Sequence, residues 1–194
     1  MTLQESDPAI VEQPTLSDSL ITLRPWRADD AESLFDAVDE SRDSLGRWLP
    51  WCHAAYALTD AQARIDACRT GWADGELFSF AIHDAADGRL LGSAGLSQRN
   101  RIHHSANAGY WIRRTAQGRG LAARALGLTA RFGFERLALI RVEIVAEIDN
   151  RASRRTAERA GARFEAIARN RLWLHGQPAD AAVYTLLPGD LESK

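Results

Sequence analysis

The feature that most limits what this chain can fold into is the junction Gly109-Tyr110-Trp111-Ile112-Arg113-Arg114-Thr115-Ala116-Gln117-Gly118-Arg119-Gly120-Leu121-Ala122. An apolar strand enters a turn with two glycines, and a helix begins at once. Leu121, Ala125, Leu128 and Phe132 recur at helical spacing, which predicts a long helix over residues 120–135. Glycine lets the backbone approach a ligand and adopt conformations that side chains forbid. The first N–H groups of a helix lack intrahelical partners and carry partial positive charge, so the turn is a candidate anion site. Arg113, Arg114 and Arg119 add guanidinium groups suited to phosphate oxygens. A Walker A loop needs Gly-Lys-Ser/Thr, whereas Leu121 follows Gly120. A dinucleotide-binding fingerprint tolerates Ala123 at its third glycine, but it belongs on the first strand of its unit, and three strands precede this one.

Those strands are read at residues 21–24, 77–83 and 90–96, ahead of the one at 105–113. Two helices lie between the first and second: one carries Ala31, Leu34, Phe35 and Val38 on its apolar face, and one runs from Thr59 or Asp60 toward Trp72. After the long helix come a strand at residues 141–147, a shorter helix capped by Asn150 and stopped by Gly161, and strands at 164–174 and 179–187. This order reads as one α/β sandwich around a mixed sheet. Residues 1–18 mix prolines, acids and serines without a period and read as a flexible arm. Residues 19–190 read as a single domain.

A net charge of −2 argues against general nucleic-acid binding. The arginines nevertheless concentrate between Arg99 and Arg171, whereas lysine appears once, at Lys194, so a local anionic partner is expected. Cys52 and Cys68 form neither a disulfide framework nor a metal-ligand pattern. No run of about 18 apolar residues suggests a membrane span, and the polar, acidic start is unlike a secretory signal. A cytoplasmic protein with no membrane and no metal is expected.

With these motifs in place, the sequence resembles the GNAT superfamily of N-acetyltransferases, whose Gln/Arg-x-x-Gly-x-Gly/Ala motif is matched by Gln117, Gly120 and Ala122. The resemblance covers residues 20–187. Further marks resemble the RimJ/RimL-type ribosomal-protein N-acetyltransferases: Leu23-Arg24-Pro25, Arg47-Trp48-Leu49-Pro50-Trp51, Gly109-Tyr110-Trp111-Ile112, Asp149-Asn150-Arg151-Ala152-Ser153 and Ala160-Gly161-Ala162-Arg163-Phe164-Glu165. Drug-modifying relatives share them. The resemblance implies a mostly antiparallel mixed sheet of about seven strands flanked by helices. It also implies a bulge near the end of the central strand that splays it from the next.

The implied co-substrate is acetyl-CoA, without a metal and without a covalent enzyme intermediate. Its cofactor-binding residues are then Trp111, Ile112, Arg113, Gln117, Gly118, Arg119, Gly120, Leu121, Ala122 and Asn150. One backbone N–H near Trp111 to Arg113 can polarise the thioester carbonyl. Ser153, one helical turn after Asn150, is the candidate to protonate or hydrogen-bond the leaving thiolate, against the plainer reading of a surface serine. Many members carry a glutamate where this sequence has Asn107, which cannot accept a proton but can orient a water. His103 shares a strand face with Asn107 and Trp111 by period two, as a base acting through water or simply as hairpin surface. Trp48 and Trp51 are the candidate acceptor wall, while Trp26, Trp72 and Trp173 read as core.

The implied function is acetyl transfer to a primary amine, with the N-terminal α-amine of a protein, ribosomal proteins among them, as acceptor. Two readings stand beside it: acetylation of a small amine such as an antibiotic, polyamine or amino-acid derivative, and a non-catalytic coenzyme A-binding module. A homodimer through a sheet edge or the Trp-rich segment is a further expectation.

Overall fold

The computed structural model describes residues 13–191. Most of the expected arm therefore lies outside the described residues. Its last part does not: Leu16–Ser17 (β1) pairs antiparallel with Ile21–Pro25 (β2). A two-residue strand has no hydrophobic period to reveal it, but Leu16 sits opposite Leu23 and packs on the core. This strand raises the sheet from the expected seven strands to eight.

The remaining elements are helices α1 (Ala31–Asp39), α2 (Arg42–Gly46) and α3 (Leu58–Ala73), then strands β3 (Phe78–Asp84), β4 (Leu90–Asn100) and β5 (Ser105–Ile112). Helix α4 (Leu121–Arg136), strand β6 (Arg141–Glu147), helix α5 (Arg151–Ala160) and strands β7 (Arg163–Leu174) and β8 (Gln177–Leu186) complete the chain. The sheet order is β1-β2-β3-β4-β5-β6-β8-β7. Every neighbouring pair is antiparallel except β5–β6.

Strand alternation sends side chains to two separate cores. On one face, Phe78, Phe80 and Ile82 of β3 and Ala106 and Ala108 of β5 pack against α4 and α5. Trp72, Phe78, Phe80 and Phe132 stack there with ring centroids 5.1–5.8 Å apart, each pair contributing about 1 kcal/mol beyond its buried area. On the other face, Ala81 and Leu90 meet Leu34, Val38, Leu45, Tyr56 and Ile65 from α1 to α3.

The two halves of the sheet join over only three residue pairs: Ser105–Arg141, Ala106–Val142 and Asn107–Glu143. Beyond Asn107 the strands diverge, which is the expected splay. The expected bulge is not on the diverging stretch of β5, which stays in register with β4 from Asn107 to Ile112. The irregularities fall on β4 instead: Leu91 is extra opposite β3, and Gln98, at φ 52, and Arg99 face a single residue of β5.

The end of β5 is braced against the end of α1. Arg113 donates from Nε to Glu40 at 2.9 Å and from a terminal nitrogen to the Leu90 carbonyl at 2.9 Å. The Thr115 hydroxyl donates to Glu40 at 2.9 Å, and the Arg114 N–H to the Ser41 hydroxyl at 2.9 Å. The Arg113 guanidinium, first of all, holds the Glu40 carboxyl well below the usual glutamate range, at about 2. A depressed folded-state pKa adds stability above the unfolded value that is lost as the pH falls through the folded one. Glu40→Gln is therefore expected to lose about 3 kcal/mol at pH 7, because Arg113 is left largely buried without its counter-charge. The stability gap from wild type, measured by urea denaturation, should close between about pH 4.5 and 2. A gap that stays constant over that range would show that the ion pair is not its source.

Candidate active site

A cleft of about 730 Å³ runs through the sheet where β5 and β6 part. Strand alternation gives it two sides. Tyr110, Ile112, Ile144 and Ala146 face α4 and α5. Asn107, Trp111, Val145 and Glu147 have the opposite parity; Trp111 packs with the second core, and Asn107 pairs in parallel register with Glu143 on that same side.

At one end lies the two-glycine turn. Gly118 and Gly120 have φ of 80° and 76°, values that side chains rarely adopt, and a Cβ on either would meet nothing within 4 Å. Gly120 opens α4, no side chain caps that helix start, and its first N–H groups, which lack intrahelical partners, belong to residues that line the cleft. Gln117 turns back, donating from Nε2 to the Ile112 carbonyl at 3.0 Å. The Arg113 N–H bonds the Leu91 carbonyl on the β4 side at 2.8 Å. In an antiparallel ladder the direction alternates residue by residue, so the N–H groups of Tyr110 and Ile112, rather than that of Trp111, face the gap.

Helix α5 forms the wall on the same side. Asn150 caps it, its Oδ1 accepting the Ser153 N–H at 3.1 Å. The Tyr110 hydroxyl donates its one proton to the Ser153 carbonyl at 2.9 Å. Tyr110 is therefore the acceptor in its 3.2 Å contact with the Ser153 hydroxyl, and Ser153 the donor. Burial pushes Tyr110 up to about 12. Arg155 lines the cleft, whereas Arg154 turns away to the Tyr184 hydroxyl and the Ile148 carbonyl.

The other side is lined by Asn107, Glu147, Trp48 and Trp173. The Oδ1 of Asn107 is buried without a hydrogen-bond partner. The Arg47 guanidinium lies 4.6 Å over the Trp48 ring. His175, at the tip of the β7–β8 hairpin, contacts the Arg47 carbonyl through Nε2 at 3.0 Å. Hairpin and α2 segment thus meet beside the opening.

The cleft brings together Asn107, Trp111, Ile112, Gln117, Gly118, Gly120, Leu121, Ala122, Asn150, Ser153 and Trp48. Four expected residues are not brought in. Arg113 is committed to Glu40, so its side chain is not a phosphate ligand. Arg119 is exposed and pairs with Asp84 at 3.5 Å. Trp51, partly buried, backs Trp111 and Tyr56 at 6.2 and 5.9 Å, against the second core. His103 lies in the turn before β5, where period two does not extend, and its N–H bonds Asn100.

Among the other lining residues, three that bear on the chemistry carry no site assignment in the sequence analysis. Tyr110 shares parity with inward-facing Ala106 and Ala108, a signal the sequence did hold. Trp173, 68% exposed on edge strand β7, was read as core. Glu147 ends β6 with no motif to mark it. Among the described residues, no group of three or more His, Cys, Asp or Glu is placed to hold a metal, and no helix is long and apolar enough to cross a membrane.

Comparison with known proteins agrees with this geometry. The family model described as Acetyltransferase (GNAT) domain matches residues 21–163. The Bacillus subtilis (strain 168) protein provisionally named ribosomal N-acetyltransferase YdaF is 31% identical over 175 residues, or 90% of this chain and 94% of its own. A Vibrio cholerae structure, provisionally described as a ribosomal-protein-serine acetyltransferase, is 29% identical with a TM-score of 0.78, covering 90% of this chain and 98% of its own. Mycobacterium smegmatis RimJ in complex with CoA-disulfide shares the fold: its TM-score is 0.82 at 22% identity, over 94% of this chain and 90% of its own. With the matched family model running from β2 through α5, and so over the two-glycine turn and Ser153, the chain belongs to the GNAT acetyltransferase family and is an acyltransferase.

Proposed function

We propose that this acyltransferase moves an acetyl group from acetyl-CoA to a primary amine, and that its acceptor is the N-terminal α-amine of a protein, a ribosomal protein first among them. The observation that carries the reading is the uncapped, two-glycine start of α4 opening into a gap whose strand backbone is unpaired, with Ser153 on its wall. Coenzyme A matches each part of that surface. Its phosphates suit the free N–H groups after Gly120, and its amide-bearing arm suits the gap-facing groups of Tyr110 and Ile112. When bound it supplies an acetyl thioester, a carbonyl open to attack by an amine.

The protein's own groups then divide the work. The N–H of Ile112 or Tyr110 polarises the carbonyl oxygen. The Ser153 hydroxyl rests on the Tyr110 oxygen and turns its one proton from that contact to the sulfur as the thiolate leaves. Tyr110 stays protonated at neutral pH, so it fixes the direction of that hydroxyl rather than competing as a base. The protein acceptor is favoured by the solvent-open wall at Trp173 and by the names of the relatives. A small amine is the second reading, supported by the aromatic pair Trp48 and Trp173 at the opening.

Free-thiol release from acetyl-CoA should depend on peptides that present an unblocked N-terminus. Release with small amines alone would move the enzyme to the second reading. Gly120→Val places a β-branched residue at φ 76° and is expected to weaken coenzyme A binding at least about tenfold in calorimetry. Unchanged affinity would sink the phosphate cradle. Ser153→Ala should lower kcat about 100-fold and leave coenzyme A affinity near wild type; an unaltered kcat removes Ser153 from the proton path.

A further inference from the structure

An ammonium cannot attack a thioester, so a proton must first leave the incoming amine. Asn107 has no basicity to offer, and His103 lies outside the cleft. Among the described residues that line the cleft, Glu147 is the one carboxylate, and no histidine lines it. The acids nearby are committed elsewhere: Glu40 to Arg113, and Glu143 to Arg141 at 2.9 Å. Glu147 pairs with no arginine among the described residues. One of its oxygens, Oε2, accepts the Asp149 N–H at 2.7 Å, which anchors the carboxylate and leaves Oε1 open.

Its place in the sheet is equally specific. Parallel register puts Asn107 beside Glu143, so Glu143, Val145 and Glu147 share the side of Asn107. Ser153 and Tyr110 occupy the opposite side, toward α5. A proton acceptor and a proton donor therefore flank the gap from its two faces, which is the arrangement that amine attack and thiolate departure require.

We infer that Glu147 is the general base of this enzyme. The inference rests on the amine-transfer reading above. Oε1 of Glu147 takes a proton from the ammonium, directly or through one water. The amine lone pair forms the N–C bond to the carbonyl carbon, and the C–S bond breaks. The leaving sulfur receives the Ser153 proton, and Ser153 is made good by the second proton shed from nitrogen. Glu147 then releases its proton to solvent. Ammonium plus thioester thus gives amide, thiol and one proton.

The test compares wild type with Glu147→Gln and Glu147→Asp on one α-amine peptide and acetyl-CoA, reading kcat/KM from pH 6.5 to 9.5 and coenzyme A affinity by calorimetry. Glutamine keeps an oxygen for the Asp149 N–H, so the β6–α5 turn is retained. Glu147→Gln is expected to lose about 100- to 1,000-fold near pH 7. The deficit should shrink to about tenfold by pH 9, because an α-amine titrating near pH 8 then sheds its own proton. Glu147→Asp should recover part of the loss, and coenzyme A affinity should not move. A deficit of equal size at every pH, lost coenzyme A affinity or undiminished activity at pH 7 would each overturn the assignment. If the wild type binds coenzyme A and transfers to no amine, the transfer reading falls, and Glu147 with it.

Discussion

Three residue pairs of parallel ladder hold the two halves of this sheet together, and then the ladder stops at Asn107 and Glu143. Everything that matters for chemistry depends on that stop. A continuous ladder would satisfy every backbone group of β5 and leave no room for a ligand; its interruption leaves N–H and C=O groups that something must meet. The fold meets part of the demand itself. Gln117 takes the Ile112 carbonyl, and the Tyr110 hydroxyl ties the open edge to α5. What remains unpaired is the surface to which the proposed function assigns coenzyme A. The brace from Glu40 and Ser41 to residues 113–115 fixes where that surface points, by tying the strand end to a helix on the far side of the sheet.

Much of this could be read from the sequence, because its strongest signals are local. The alternation of Val142, Ile144 and Ala146 gave β6 its true bounds, Asn150 and Gly161 marked both ends of α5, and the two glycines marked the start of α4. Ser153 and Asn150 belong to one short motif, Asn107 stands two residues before another, and the cleft gathers all three. Chemistry that depends on a neighbour's charge was harder to read. Arg113 looks like a phosphate ligand until Glu40, more than seventy residues away, is found to have claimed it. His103 shows the same limit: period two holds only while the strand holds, and the strand starts two residues later.

Aromatic residues divided in a way composition could not foresee. Trp48, Trp51 and Trp173 carry the same side chain, yet two line the cleft, one of them exposed on an edge strand, and the third backs the core. Their roles are set by how the β7–β8 hairpin folds back toward the α2 segment, where His175 reaches the Arg47 carbonyl across 128 residues. No local pattern encodes a contact of that range.

Because the cleft passes through the sheet, it has two doors. In the reaction proposed above, thioester and amine would approach from different sides, so neither would have to leave before the other arrives, and no group on the protein would have to carry the acyl unit in between. Cys52 and Cys68, the residues best suited to carry one, are buried outside the cleft. The door on the acceptor side also sets no limit on the size of what stands outside it. For the proposed acceptor, only the leading amine would have to pass the rim of Trp48 and Trp173, so a short peptide and an intact folded protein would present the same few atoms to the gap.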